Sequence, residues 1–261
     1  MKLIENKTPL AISSLRALLS SNTTTQNLFF GTVENMSIMA SLLENEDADT
    51  LSLFIEIFSS QNSSNYRHFL KEANIIQIIL NKSLSGNQQF IRLLGLSIKK
   101  EPDFCKLIRE NDNLSKFLNT YLQSNDEIAD MYYLALFKSF LYQSDESCYS
   151  LSELIITIDD RNEPKLIKLA TLTMMSGPDS KIVFLSNSPN FTSSMIGFFI
   201  SHINFEFVLH FLIVLCWESK NSCIEFKNEP SEPISFLRQF LPNESPLIHA
   251  QCCLLLRIIR Y

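Results

Sequence analysis

The residues that could carry chemistry are few and poorly placed for it. The four histidines, His68, His202, His210 and His249, form neither HxH nor HExxH, and none pairs with cysteine at zinc-finger spacing. The glycines Gly31, Gly86, Gly95, Gly177 and Gly197 stand apart from one another, so no phosphate-cradling GxGxxG or GxxxxGKS loop can form. No GxSxG elbow presents a serine nucleophile. The cysteines Cys105, Cys148, Cys216, Cys223, Cys252 and Cys253 show no CxxC spacing, and several sit in apolar runs. They are expected as buried, reduced thiols. The sequence therefore gives no catalytic residue, no cofactor site and no metal site, and the chain is not expected to be an enzyme.

Carboxylates do cluster. Glu44, Glu46, Asp47 and Asp49 form one set, Asp126, Glu127 and Asp130 a second, and Asp159, Asp160 and Glu163 a third. Each set precedes or opens a predicted helix, where the macrodipole favours negative charge. Capping is the first reading; an electrostatic hook for a basic peptide is the alternative. Basic residues such as Lys99, Lys100, Lys165, Lys168, Arg257 and Arg260 are scattered, and the formal charge is -6. Neither feature favours nucleic acid as a partner.

The elements that must position these groups repeat. Phe90, Leu93, Leu94 and Leu96 lie towards one side of a 3.6-residue helix. The pattern returns from Ile12, Leu51, Met131, Leu166, Val208 and Ala250, at intervals of 39, 39, 41, 35, 42 and 42 residues. Three residues on stand Leu15, Phe54, Leu93, Leu134, Leu169, Phe211 and Cys253; six on stand Leu18, Ile57, Leu96, Phe137, Leu172, Val214 and Leu256. All are apolar. A period near forty residues predicts a helical solenoid. Long helices are expected over roughly 8–20, 47–60, 87–99, 126–142, 162–176, 204–217 and 245–260.

Shorter apolar pairs follow most of them: Leu28-Phe29, Phe69-Leu70, Leu107-Ile108, Phe184-Leu185 and, more loosely, Ile224 with Phe226. Polar or proline-marked steps at Glu34-Asn35-Met36, Ala73-Asn74-Ile75, Asn111-Asp112-Asn113-Leu114, Pro189-Asn190-Phe191 and Glu232-Pro233-Ile234 then start another helix. In the fourth unit Cys148 to Ile158 must supply both shorter helices.

Segments such as Phe69-Leu70-Lys71-Glu72-Ala73-Asn74-Ile75-Ile76 and Leu107-Ile108-Arg109-Glu110-Asn111-Asp112-Asn113-Leu114 resemble the armadillo repeat at its step from first to second helix. That step usually carries glycine, which is absent here, so a divergent armadillo- or HEAT-like solenoid is the closer likeness. The resemblance implies an all-α, right-handed superhelix of about six to seven stacked two- or three-helix repeats. It would form one domain over 1–261, with units near 8–46, 47–86, 87–125, 126–161, 162–203, 204–244 and a partial 245–261. It also implies that non-core positions of the long helices line a concave partner-binding face. Candidates there are Glu56, Gln89, Arg92, Tyr132, Tyr133, Lys138, Lys165, Lys168, Glu206 and His210. The tryptophan–asparagine ladder of importin-like members occurs once, as Trp217 and Asn221, and Trp217 is expected to be core.

The greasiest stretch, Ser193 to Trp217, is interrupted by His202, Asn204, Glu206 and His210. It reads as two core helices joined by a turn, so no membrane insertion is expected. The start lacks a long apolar stretch of secretory type, and a cytoplasmic location is expected, with the nucleus left open. The leading functional expectation is a non-catalytic scaffold that binds a peptide or folded protein on its concave face. The alternative is a helical segment of a larger kinase, phosphatase or trafficking complex, docking through its ends. The apolar run Leu254 to Ile259 raises end-to-end self-association or continuation in a longer chain.

Overall fold

A computed structural model describes residues 9–19, 23–59, 67–158, 164–177, 189–201, 205–240 and 245–260. Sixteen α-helices and one 3₁₀ segment are found among them, and no strand. The chain falls into two compact units, Met1–Tyr142 and Gln143–Tyr261.

The first unit runs α1 (Pro9–Leu19), α2 (Thr23–Phe30), α3 (Val33–Glu44), α4 (Ala48–Ser59), the 3₁₀ segment Arg67–Asn74, α5 (Ile75–Leu84), α6 (Gln88–Ile98), α7 (Pro102–Arg109), α8 (Asn113–Gln123) and α9 (Glu127–Leu141). After α1 the order is threefold: a short first element, a second helix, then a third. Local sequence starts the third helices. The Asp47 Oδ1 accepts a hydrogen bond from the Thr50 N–H at 2.8 Å at the head of α4. Asn87 accepts from the Gln89 N–H at 3.2 Å before α6. Asp126 accepts from the Ile128 and Ala129 N–H groups at 2.8 and 3.4 Å before α9. Each cap satisfies donors that the first turn leaves unpaired.

Like packs on like. The third helices form a ladder, α1 on α4, α4 on α6 and α6 on α9, while the second helices α3, α5 and α8 pack in succession. Gly95 permits the closest rung: a Cβ there would stand 3.2 Å from Leu136 Cα and 3.3 Å from its N. The 3₁₀ segment is tied in by Arg67, whose buried guanidinium donates to the Leu96 and Lys99 carbonyls at 3.0 and 2.7 Å. Those are carbonyls that the end of α6 leaves open. Phe30, Phe54 and Phe58 form one aromatic core cluster, and Phe117, Tyr121, Tyr133 and Phe137 another.

The second unit contains α10 (Asp145–Ile156), α11 (Pro164–Ser176), α12 (Pro189–Ile200), α13 (Phe205–Glu218), α14 (Lys220–Asn228), α15 (Pro233–Phe240) and α16 (Pro246–Arg260). Here α11 packs on α13 and α13 on α16, continuing the third-helix pattern inside this unit, and α12 packs on α15. Phe199 anchors its core, with ring centroids 5.1 Å from Phe205, 5.2 Å from Phe236 and 6.3 Å from Phe226. The stretch Ser193 to Trp217 is divided between α12 and α13, and among the described residues no helix is long and apolar enough to cross a membrane.

Several sequence expectations need correcting. The core stripe of α9 is Ala129, Tyr133, Leu136, Phe137 and Phe140, whereas Met131 is 68% exposed. That of α16 is Ile248, Cys252, Leu255 and Ile259, with Ala250 and Cys253 exposed. The intervals from Phe90 and from Val208 are therefore 39 and 40 residues rather than 41 and 42. Both helices carry apolar residues on more than one side, and column matching does not tell a core leucine from an exposed methionine. In α1, Leu18 is likewise exposed while Leu19 is buried. In the fourth unit one helix, α10, takes up the stretch that was to hold two. Phe184-Leu185, His202 and the set Asp159, Asp160 and Glu163 lie outside the described residues.

Candidate functional site

Two surfaces gather polar and aromatic side chains. The first lies on the third helices of the first unit. Gln89 and Arg92 are exposed on α6, and Lys138 is exposed on α9. Tyr132 is half-buried, and the Arg92 guanidinium lies 5.8 Å over its ring. This cation–π contact bridges adjacent rungs with the flat charged group still open to solvent. Alongside, the Gln88 amide donates to Asp126 at 2.6 Å. Further along the ladder, Glu56 is engaged by Arg16 in an ion pair between α4 and α1.

Tyr133 does not belong to this face. It is 2% exposed, with its ring 6.5 Å from Phe117 and 6.0 Å from Tyr121. Burial pushes its phenol pKa up, offset by a hydrogen bond with Thr120. Tyr132 and Tyr133 are neighbours in sequence, but successive helical positions point about 100° apart. Only one of the pair can reach a partner.

The remaining candidates lie in the second unit. Lys165 and Lys168 are half-buried on α11, Glu206 is exposed on α13, and His210 is half-buried on α13. The Nε2 atoms of His210 and Gln251 are 2.9 Å apart, joining α13 to α16. His210 is thus a rung contact of the ladder rather than a metal ligand. Among the described residues no group of three or more His, Cys, Asp or Glu side chains could hold a metal ion.

Members of the first two acidic sets are engaged locally. Asp47 and Asp126 cap helices, and Glu46 accepts from Lys82 at 2.7 Å and from Asn87 at 3.3 Å. The Gln88 hydrogen bond, helped by the cap N–H groups, holds the Asp126 carboxyl below its usual pKa.

The second surface was not legible beforehand. A groove of about 810 Å³ opens between the end of α13, α14 and α16. Trp217 lines it and is 68% exposed, which overturns the expectation of a core tryptophan. Lys220, Ile224 and Lys227 come from one face of α14, and Leu254, Arg257 and Ile258 from one face of α16. The signal was present in α14. Positions 220, 224 and 227 share a side, which puts an isoleucine between two lysines opposite the buried Ser222 and Phe226.

At the groove's edge the Cys223 Sγ donates to the Cys216 carbonyl at 3.0 Å. Burial, with Cys223 adding to it, pushes the Cys216 thiol far above its ordinary pKa. A thiol so held is a packing group and not a nucleophile. Compared with known proteins, the chain matches no family model and no curated protein.

Proposed function

We propose that this chain is a non-enzymatic interaction scaffold, a divergent armadillo- or HEAT-like right-handed solenoid that binds a peptide or a folded protein along its third helices. The observation that carries the reading is the ladder. In each unit third helices pack on third helices, so their non-core positions fall into neighbouring rows. On α6 and α9 those rows offer Gln89, Arg92, Tyr132 and Lys138, a mixture of arginine, tyrosine and amide suited to gripping an extended or helical segment. Four of the six thiols lie buried as small apolar packing, which supports a reducing, cytoplasmic setting.

A second reading, a helical segment docked into a larger kinase, phosphatase or trafficking assembly, draws support from Leu247 and Leu254, which are exposed on α16. Affinity capture by the full chain, followed by cross-linking, separates the two. Under the first reading, Arg92→Glu with Lys138→Glu weakens captured partners by about tenfold or more, and cross-links map to α6 and α9. Unchanged capture of every partner by that double variant overturns the third-helix face.

A further inference from the structure

The groove between α13, α14 and α16 has a composition that selects its occupant. Its walls expose three large apolar side chains, Trp217, Ile224 and Leu254, although such residues are ordinarily withdrawn from water. Its rim is Lys220, Lys227 and Arg257, and among the described residues no carboxylate lines it. None of these three cations takes part in an ion pair among the described residues. In a chain of formal charge -6 this is a local reversal of sign around an apolar floor.

The geometry points to this groove as the docking site of an acidic amphipathic peptide, one that presents apolar side chains at helical spacing between aspartates and glutamates. The volume suits a few inserted side chains. Tryptophan and arginine are the residue types that most often dominate such contacts, and the Trp217 ring offers an edge N–H as well as an apolar face. Lys220 and Lys227 stand seven residues apart on α14, about 10 Å along the axis. That separation matches carboxylates two turns apart on a partner helix. Arg257, opposite them on α16, can hold a third carboxylate by two parallel hydrogen bonds. A nucleic acid would need a longer run of cations to follow its phosphates. The site rests on reading the chain as an interaction scaffold, but it is separate from the α6–α9 face.

The chain's one tryptophan makes the groove self-reporting. The full chain is titrated with a synthetic peptide of about 16 residues, long enough for a helical stripe of leucines among glutamates and aspartates. Three controls run beside it: the same peptide with lysine for every acid, phosphatidylserine vesicles, and a single-stranded oligonucleotide. The acidic peptide is expected to shift Trp217 emission to the blue, saturably and less at high salt. Lys220→Glu with Lys227→Glu weakens it about tenfold or more, while Arg92→Glu leaves it unchanged. Trp217→Phe, followed by calorimetry, shows that the peptide occupies the groove by weakening it too. All these positions are exposed, and thermal melts confirm that the variants fold.

An acidic peptide that leaves the emission unmoved overturns the proposal. So does equal binding of the lysine peptide, or a response confined to vesicles or the oligonucleotide. A shift that grows with protein concentration alone, with dimers in sedimentation, assigns the groove to a second copy and overturns it as well. If the α6–α9 variants fail to affect any partner while the acidic peptide still binds here, the third-helix reading falls and the groove stands.

Discussion

Gly95 offers the sharpest test of the ladder. It sits inside α6, where glycine costs roughly 0.5–1 kcal/mol relative to alanine, so a side chain would be an improvement if there were room. There is not: a Cβ would meet backbone atoms of α9, Leu136 Cα at 3.2 Å, Leu136 N at 3.3 Å and the Ala135 carbonyl carbon at 3.6 Å. Unstrained carbon contacts lie near 3.5–4.0 Å, and here the neighbour is helix backbone, which cannot swing aside. Gly95→Val adds three carbons against that wall. Overpacking of this kind costs about 1–3 kcal/mol, and the upper end applies because rigid backbone opposes it. Valine recovers only about 0.3–0.5 kcal/mol in helix propensity over glycine. The net expectation is a loss of roughly 2–3 kcal/mol, or about 5–10 °C in Tm for a chain of this size.

Gly197 supplies the opposite control. It is exposed inside α12, and a Cβ there would meet nothing within 4 Å, so Gly197→Ala should stabilise by about 0.4–1 kcal/mol. Urea unfolding of the full chain gives the totals. Hydrogen exchange over residues 88–98 and 127–141, compared with 189–200, assigns each change to its unit and does not require two-state behaviour. If Gly95→Val matches the parent in midpoint and in exchange of α6 and α9, the two helices do not approach at this glycine. The ladder as described then fails.

Two further outcomes are expected from the first unit. Arg67→Met keeps the side chain's length but deletes the hydrogen bonds to the Leu96 and Lys99 carbonyls; a loss of about 2–3 kcal/mol, with faster exchange at the end of α6, is the result by urea titration. The unit should also lose stability in acid. Glu46 beside Lys82, Asp103 beside Lys71 and Asp126 beside Gln88 all have pKa values held below the ordinary carboxylate range. A depressed folded pKa means a contribution fully present above the unfolded value and lost as pH falls through the folded one. Urea midpoints should hold from pH 7 to about 5 and fall below about pH 4, and Asp126→Asn should flatten part of that fall.

What could be read from the sequence was what local chemistry dictates. The long helices at 48–59, 88–98 and 127–141 lie within a residue or so of expectation, because Asp47, Asn87 and Asp126 are caps and a cap acts on its own first turn. What could not be read was which apolar side of a helix is covered. Leu28 and Phe29 look equivalent in sequence, yet Leu28 is 71% exposed and Phe29 is buried. The same holds for Tyr132 against Tyr133, and for Met131 against Ala129. Burial there is decided by packing against other helices, as Phe117 and Tyr121 of α8 cover Tyr133, and not by adjacent positions in the chain. Trp217 failed for a related reason: it ends a greasy run, but the chain turns into α14 at Ser219 and leaves the indole outside the packing.

The glycine missing from the first-to-second step has a structural counterpart. That step still uses left-handed backbone: φ is 56° at Asn74, 53° at Asn111, 57° at Asp112 and 52° at Glu232. Asparagine and aspartate are the non-glycine residues that tolerate this region best. Some other handovers behave alike, whereas those at Thr32, Ser124, Asp126 and Ser219 do not. Glu46 and Gly86 are left-handed between second and third helices, and Lys100 and Gln143 between a third helix and the next first one. Asparagines also recur here, Asn35, Asn74 and Asn113, spaced by 39 residues. Two of them are buried and donate to the carbonyl six residues back, Asn35 to Phe29 at 3.0 Å and Asn113 to Leu107 at 2.9 Å. Left-handed φ costs roughly 1–2 kcal/mol for an ordinary residue, so Glu46, Lys100, Gln143 and Glu232 are held there by the stacking around them. The recurrence of turn geometry at matching places is independent of the apolar columns. The 39-residue spacing of Asn35, Asn74 and Asn113 does not depend on how the columns are registered.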